Sequence, residues 1–359
     1  MMTVMQVCGA NKPGGAEAHF LRFCLEMEKR AEIRVIIVVR KKSWLAEQFK
    51  KSSLTVYELP FWGRWDLLTR LRLGQIARQE QVQIAQCWMS RAASLMPRIS
   101  GTLNLGRLGG YYALKNFTSM HWLVGATEDL ARHIRDHGQA AERTAVIPNF
   151  VNPPQPEDPD TSARLRHQLQ LKDKRVIFTP ARLHHVKGLD TALKALSMLP
   201  RNYVYILAGQ GPEEPNLRQQ IAQLQLEDRV HLVGWTDNIS QYCQVSEVFL
   251  VPSRHEPFGS VLLEAWSHRL PLVSSDSQGA TAITRQGDTA LIFPKNDAAA
   301  LSKAILQLAE DKTLANHLVQ CGYEEYQQNY TAASVMDGYI ALYQRMLGTA
   351  GRKQDETNC

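Results

Sequence analysis

The sequence lacks the long apolar segments and clustered cysteines that mark membrane-spanning and disulfide-stabilised proteins. No uninterrupted apolar run approaches the ~18 residues needed to cross a bilayer. Residues 1–10 read as a first strand, too short and too poorly flanked for a signal peptide. The six cysteines form no CxxC or Cys/His cluster, which argues against a zinc site or a disulfide framework. We therefore expect a protein of the reducing cytoplasm.

Length and charge indicate two dissimilar domains. At 359 residues the chain exceeds one typical hydrophobic core. Residues 1–150 carry 21 Lys and Arg against 12 Asp and Glu, a net charge of +9. The remainder carries 20 against 23, a net charge of −3. This asymmetry favours an anionic partner for the first domain alone.

Alternating strands and helices predict an α/β protein with doubly wound, mostly parallel sheets. The predicted strands before the Pro-rich window 148–159 are Val4–Cys8, Arg34–Val39, Thr55–Leu59, Ile84–Trp88 and Trp122–Gly125. Those after it are Arg175–Thr179, Tyr203–Leu207, Val230–Val233, Val248–Val251 and Pro271–Ser274. We expect a first domain at 1–150, a second at 151–329, and a helix at 330–350 that crosses back to the first domain. A frayed, polar Gly351–Cys359 follows.

Two acids eight positions apart, Glu256 and Glu264, form the most informative motif. Glu256 follows a predicted strand, and Pro257-Phe258-Gly259 leads from it into a helix that carries Glu264. Open α/β sheets bind ligands at the carboxyl ends of their strands. Helix amides there favour phosphate, and carboxylates accept hydrogen bonds from sugar hydroxyls. The alternative is a chance pair of surface acids.

Cations and glycines follow other predicted strands. Arg182 and Lys187 lie on one loop and can both reach a diphosphate, although a solvated basic loop has the same pattern. Gly14-Gly15 follows the first strand and permits close backbone approach to a ligand. Gly209 and Gly211 form a second glycine-rich turn. A simple tight turn is the alternative for both glycine motifs.

Together these elements resemble glycosyltransferase family 4, the retaining transferases of the GT-B fold. The likeness covers nearly the whole chain and includes Gly14–Glu17, Val146–Asn149, Arg182 with Lys187-Gly188, Gly209–Pro212, Glu256–Glu264 and Leu270–Val273. It implies two Rossmann-like domains facing each other across a cleft. The first would bind the acceptor and the second would bind a nucleotide-sugar donor.

The resemblance also implies a role for each motif residue. Arg182 and Lys187 would neutralise the donor diphosphate, and Glu264 would bind the ribose hydroxyls. Glu256 would hold hydroxyls of the transferred sugar, aided by the backbone amides of Phe258 and Gly259. Gly15 would place its amide, beside Gly14, near the phosphate.

Arg107–Lys115 is similar to the branch of this family that builds lipopolysaccharide cores and related envelope glycans. The acceptor-side histidine of the wider family has no obvious counterpart here. Arg107 occupies about that place, whereas His121 precedes a strand and is expected to be structural. Two further departures are Phe150, in place of a glycine after Pro-Asn, and Ser277–Ala282, which lacks the usual proline and glutamate.

No cofactor or metal is expected. Asp158-Pro159-Asp160 matches the Asp-x-Asp pattern with which many sugar transferases hold a metal. It lies in the Pro-rich window rather than after a strand, so a solvated linker is favoured. Because no carboxylate is placed as a nucleophile, we expect Arg182 and Lys187 to stabilise the departing nucleoside diphosphate while the acceptor attacks from the same face.

The segment Phe61–Arg72 combines Trp and Leu with Arg64, Arg70 and Arg72. We weigh peripheral contact with the anionic inner leaflet of the cell membrane, near a glycolipid or oligosaccharide acceptor, against a packed helix with a basic face. Competing functions are a nucleotide-sugar epimerase and a non-catalytic nucleotide-sugar-binding protein. The basic charge alone permits nucleic-acid binding, but no such motif supports it, and we expect no nucleic-acid partner.

Overall fold

Two parallel β-sheets organise the chain. The computed structural model describes residues 1–63, 65–154, 158 and 160–357, and describes side chains as far as residue 349. It separates into unit 1, Met1–Phe150 with Ala332–Cys359, and unit 2, Val151–Thr331.

Unit 1 contains a seven-stranded sheet in the order β3-β2-β1-β4-β5-β6-β7, in which every neighbouring pair is parallel. Its strands are β1 (Met2–Cys8), β2 (Ile33–Arg40), β3 (Thr55–Leu59), β4 (Ile84–Trp88), β5 (Leu103–Leu108), β6 (Trp122–Gly125) and β7 (Thr144–Val146). Its helices are α1 (Gly15–Glu28), α2 (Trp44–Phe49), α3 (Leu67–Gln79), α4 (Met89–Leu95), α5 (Glu128–Asp136) and the C-terminal helix (Ala332–Thr357).

Strand β2 shows how this sheet is buried on both faces. Val35 and Ile37 belong to one apolar cluster, and Ile36 and Val38 belong to another. Successive side chains of a strand point to opposite faces, so both clusters receive apolar residues from the same continuous run. The first cluster also contains residues of the C-terminal helix, which therefore completes unit 1.

Unit 2 contains a six-stranded parallel sheet in the order β10-β9-β8-β11-β12-β13. Its strands are β8 (Arg175–Pro180), β9 (Tyr203–Ala208), β10 (Val230–Gly234), β11 (Val248–Val251), β12 (Leu272–Ser275) and β13 (Leu291–Phe293). Its helices are α6 (Thr161–Gln168), α7 (Leu189–Met198), α8 (Glu214–Gln223), α9 (Ser240–Gln244), α10 (Ser260–Ser267), α11 (Gln278–Ile283), α12 (Ala298–Glu310) and α13 (Lys312–Asn329).

Every strand predicted from the sequence is present, but three further strands were not predicted. Strands β7 and β13 have only three residues each, too few for a periodic signal. The apolar pattern of strand β5 is interrupted by Asn104, Gly106 and Arg107, although all three residues are buried. The C-terminal helix, expected at 330–350, extends to Thr357.

Candidate functional site

The order of strands in unit 2 creates a crevice between β8 and β11. Strands β8 and β11 are neighbours, but the chain continues from β8 to β9 toward one edge of the sheet and from β11 to β12 toward the other edge. The strand order therefore reverses between β8 and β11. A ligand in an open α/β sheet binds at such a point, outside the carboxyl ends of the strands. Lys187 lies on the loop after β8, and Glu256 lies on the loop after β11.

Lys187 and Glu256 meet in this crevice as an ion pair. The Lys187 Nζ donates a hydrogen bond to Oε2 of Glu256, and their side chains are 23% and 14% exposed respectively. Arg182, on the same loop as Lys187, is exposed to solvent. The crevice thus contains one cation, Lys187, that is ion-paired with Glu256, and a second cation, Arg182, that is exposed to solvent.

The loops that carry these residues are joined through their backbones. The amides of Arg254 and His255 donate to the carbonyl oxygen of Val186, at 2.8 and 3.2 Å. Gly188 has a φ of +62°, and a Cβ there would overlap the carbonyl oxygen of Pro252. Only glycine fits this position, so the close approach of the two loops depends on it.

Arg254 also links the two loops through its side chain, and the sequence predictions did not include it. Its guanidinium donates to the carbonyl oxygen of His185 at 2.6 Å and to a carboxylate oxygen of Asp190 at 2.7 Å. Burial alone would raise the pKa of Asp190, but the hydrogen bond and charge of Arg254 outweigh burial and hold that pKa below its usual value. The available signal was an arginine two positions before Glu256, at the end of a strand.

Gly209 and Gly211 lie beneath the Arg182 loop. A Cβ on Gly209 would overlap the carbonyl oxygen of Ala181, and a Cβ on Gly211 would overlap that of Leu183. The amide of Leu183 donates to the carbonyl oxygen of Gln210 at 3.0 Å. These glycines therefore position Arg182 by permitting close backbone contact with its loop.

The start of α10 is shaped by glycine and by a buried phenylalanine. Gly259 is the N-cap residue, with a φ of +83°, and Phe258 is buried against the ring of Tyr330. The amide of Gly279 donates to the carbonyl oxygen of Glu256 at 2.6 Å. The chain around Glu256 is thus fixed beside the amino end of a helix, where backbone amides and the helix dipole favour an anion.

Glu264 lies further along α10 and is partly exposed. Burial raises the pKa of Tyr326 to about 12, and the charge of Glu264 adds to this rise. Glu264 therefore lies near α13, whereas Glu256 pairs with Lys187. The two acids occupy different surroundings within unit 2.

In unit 1, Gly14 and Gly15 lie at the start of α1. Gly14 is its N-cap residue in an extended conformation, and both glycines are exposed. A Cβ on Gly15 would meet no atom within 4 Å. The backbone here is open to a ligand, and its role in donor binding stays a prediction.

Arg107 lies inside unit 1, on β5, and is only 5% exposed. Its Nε donates to the hydroxyl of Tyr339 at 3.1 Å, and its Nη2 donates to the amide oxygen of Asn149. The guanidinium also lies 4.6 Å from the ring centre of Trp88. Arg107 thereby connects the sheet, the end of the first segment of unit 1 and the C-terminal helix, and its contact with an acceptor remains a prediction.

His121 and Asp158 have local partners. The Nδ1 of His121 accepts a hydrogen bond from the amide of Asn104 at 2.8 Å. Arg164 donates to Asp158 at 2.5 Å, whereas Pro159 of the Asp-x-Asp pattern lies outside the described residues. Across the described ranges there is no group of three or more His, Cys, Asp or Glu side chains arranged to hold a metal ion.

Comparison with protein families identifies a domain in unit 2. Residues 162–325 match the model for glycosyl transferases group 1. This range contains the Arg182 loop, the Lys187–Glu256 pair and α10. The ion-paired crevice therefore lies inside the range that matches the group 1 glycosyl transferase model.

Similar proteins extend the comparison to both units. The chain is 28% identical over 333 residues to the lipopolysaccharide core biosynthesis glycosyltransferase LpsE of Rhizobium meliloti, covering 92% of this chain and 96% of LpsE. It is also 28% identical to LpsD of the same organism, covering 92% of this chain and 95% of LpsD. Both relatives are named for lipopolysaccharide core biosynthesis.

The fold matches a solved structure, that of Anabaena Alr3699/HepE in complex with UDP and glucose. The TM-score is 0.81 at 19% sequence identity, with 96% of this chain and all of that chain covered. The architecture is GT-B, with a Rossmann-like domain in each unit. Together with the group 1 domain and the named relatives, these findings make the protein a glycosyltransferase.

Proposed function

We propose that this glycosyltransferase transfers a sugar from a nucleotide-sugar to a glycan of a lipopolysaccharide core or a related lipid-linked acceptor, as a retaining enzyme of family 4. The Lys187–Glu256 pair at the β8/β11 crevice carries the proposal. It places a cation for phosphate beside an acid for sugar hydroxyls at the usual ligand position of an open α/β sheet.

Unit 2 binds the donor. Arg182 and Lys187 hold the diphosphate, and Glu256 accepts hydrogen bonds from hydroxyls of the transferred sugar. The backbone amides of Phe258 and Gly259, at the amino end of α10, contribute donors on the same side. Glu264 binds the ribose hydroxyls. A uridine diphosphate sugar is the first donor to consider, because the similar Alr3699/HepE binds UDP and glucose.

The reaction breaks the bond between the anomeric carbon and the diphosphate oxygen and forms one bond to an acceptor hydroxyl oxygen. Arg182 and Lys187 stabilise the negative charge that grows on the leaving diphosphate. Glu256 is already engaged by Lys187, so it serves as a sugar ligand rather than a nucleophile. The acceptor attacks from the face that the diphosphate leaves, its proton passes to the departing phosphate, and the anomeric configuration is retained.

Unit 1 binds the acceptor. Its two segments contain 24 Lys and Arg against 15 Asp and Glu, a net charge of +9, whereas unit 2 has 17 against 20. A basic surface attracts an anionic partner over long range. An anionic envelope glycan agrees with this charge and with the names of LpsE and LpsD.

A donor screen tests the proposal. The purified protein is incubated with UDP-, GDP-, ADP- and dTDP-sugars, with and without deacylated lipopolysaccharide core, and release of nucleoside diphosphate is measured. One donor should give release that rises with acceptor, and nuclear magnetic resonance of the product should show the donor's anomeric configuration. Inversion of that configuration would overturn retention, and acceptor-independent turnover would overturn the assigned acceptor.

Variants test the assigned residues. The double variant Arg182→Ala, Lys187→Ala should lose turnover by about a thousandfold, because two donors to the leaving diphosphate are removed. Lys194→Ala, Arg218→Ala removes two exposed cations elsewhere in unit 2 and should retain activity. Wild-type turnover by the first variant would disprove the leaving-group role.

A further inference from the structure

A cluster of large apolar side chains faces solvent at the start of α3. We define this apolar patch by five residues, which are exposed as follows: Trp62 73%, Trp65 86%, Leu67 69%, Leu68 47% and Leu71 66%. Isolated exposed apolar residues are normal on soluble proteins, but clustered ones mark a surface that contacts a partner or a membrane. The donor crevice of unit 2 uses none of these residues.

The residues beneath the apolar patch form an ordered anchor. Phe61 is fully buried, and its amide donates to the hydroxyl of Thr69 at 3.1 Å. Asp66 is 7% exposed and accepts hydrogen bonds from the amides of Trp62 and Thr69, both at 2.9 Å. The Thr69 hydroxyl donates to the same carboxylate at 2.6 Å. These hydrogen bonds fix the turn before α3, and the side chains of the apolar patch remain exposed on it.

Positive charge surrounds the apolar patch. Arg70, Arg72 and Arg78 are exposed on α3. Among the residues that the structure describes, none of these arginines forms an ion pair with an acid. Arg64, which the sequence also suggested, lies outside the described residues. The exposed face of the first turns of α3 is thus both apolar and cationic.

We infer that the apolar patch docks unit 1 onto an anionic lipid bilayer. Tryptophan rings settle at the headgroup level of a membrane, leucines enter the acyl boundary, and arginines contact lipid phosphates. A second copy of the chain fits less well, because self-pairing would bring unpaired arginines together at the interface. None of the helices in the described ranges combines the length and apolar character that a bilayer crossing requires. Docking is therefore proposed at the surface.

Vesicle binding tests this inference. The full chain is sedimented with vesicles of phosphatidylcholine alone or with 30 mol% phosphatidylglycerol, a composition of roughly the anionic content that attracts basic segments. Binding should be strong only with the anionic vesicles. Trp65→Ser, Leu71→Ser should weaken it by about tenfold or more. Arg70→Gln, Arg72→Gln should weaken it by roughly fivefold for each arginine and reduce its salt dependence.

Matched controls separate the apolar patch from general effects. Met198→Ser replaces an exposed apolar residue of unit 2, and Lys50→Gln, Lys51→Gln removes two exposed cations of unit 1 outside α3. Both controls should bind anionic vesicles like the wild type. Equal binding to neutral vesicles, or equal losses in the controls, would overturn the inference. So would a wild-type dimer in analytical ultracentrifugation that the Trp65→Ser, Leu71→Ser variant dissociates.

Measuring sugar-transfer turnover alongside vesicle binding separates a failure of membrane docking from a failure of the proposed function. The Trp65→Ser, Leu71→Ser variant should retain wild-type turnover with a soluble, deacylated acceptor, because the patch lies outside the donor residues. Turnover without vesicle binding in the wild type would reject docking and leave the proposed transfer intact. Vesicle binding without turnover would reject the proposed transfer and leave docking intact.

Discussion

Replacing Glu256 with glutamine should affect nucleotide binding and sugar transfer in opposite directions. In the free protein Lys187 is paired with Glu256, so a diphosphate must compete with that carboxylate for the cation. Glutamine removes the competing charge but keeps an oxygen and an amide for sugar hydroxyls. We therefore expect Glu256→Gln to bind a nucleoside diphosphate more tightly while it transfers sugar more slowly.

The geometry of the pair sets the size of the effect. Two unit charges about 4 Å apart interact by about 4 kcal/mol at an effective dielectric constant of about 20. The side chains of Lys187 and Glu256 remain 23% and 14% exposed, so solvent screening and the cost of desolvation reduce the net value. We expect a net gain of about 1 kcal/mol, or about fivefold in Kd for the nucleoside diphosphate. Turnover should fall by about a hundredfold because a sugar ligand in the transition state is weakened.

Isothermal titration calorimetry with the nucleoside diphosphate of the identified donor measures the affinity. Adding Lys187→Met to Glu256→Gln should abolish the gain, because the released cation is then absent. Glu247→Gln is the control, since it removes the acid of a different pair in unit 2, with Arg175 at 3.7 Å. Unchanged or weaker binding by Glu256→Gln, or the same gain in the Lys187→Met background, would refute the competition.

Three further variants test the fold, each by urea unfolding followed by tryptophan fluorescence. Gly188→Ala should lower the free energy of unfolding by more than about 3 kcal/mol, because its Cβ would overlap a carbonyl oxygen. Gly101→Ala is the control: it also has a positive φ but open space around it, and it should lower the free energy of unfolding by about 1 kcal/mol. Equal losses in the two variants would contradict the steric argument. Tyr343→Phe should cost about 1–3 kcal/mol, because its buried hydroxyl bonds two glutamines, and a neutral result would contradict that role. Burial, and after it the charges of Arg107 and Arg22, hold the pKa of His19 well below its usual 6.5. The unfolded chain therefore binds a proton at this histidine that the folded protein does not, and the free energy of unfolding should fall as the pH drops below about 6.5. The slope from this histidine is at most about 1.4 kcal/mol per pH unit. His19→Leu should flatten that slope and exposed His137→Leu should not; identical slopes would reject the assignment.

The sequence was most informative where the chain is apolar and periodic. Buried parallel strands such as β2 and β11 consist mainly of continuous apolar residues, and the sequence predicted their positions. Strand β5 escaped prediction because its buried Arg107 reads as a solvent-exposed loop residue until its partners are known. Those partners, Asn149 and Tyr339, are distant in sequence, so no local pattern could have indicated burial.

The candidate site was only partly predictable for the same reason. The spacing of Glu256 and Glu264 and the basic loop of Lys187 were visible in the sequence, but the ion pair between Lys187 and Glu256 depends on the adjacency of β8 and β11. The role of Arg254 was hidden because its partners, His185 and Asp190, lie on the segment that follows β8. Gly209 and Gly211 were visible as a glycine-rich turn, but their close packing beneath the Arg182 loop depends on contacts between separate segments, and their contact with a ligand stays a prediction.

The return of the chain to unit 1 through its last helix has a consequence for folding during synthesis. Tyr339 and Tyr343 are buried in unit 1, where the Tyr339 ring lies 4.8 Å from that of Phe23. A ribosome makes every residue of unit 2 after Phe23 and before these tyrosines. Unit 2 can therefore become native while unit 1 still exposes the sheet face that awaits its last helix. The apolar core of unit 1 is therefore completed only after the whole of unit 2 has been synthesised.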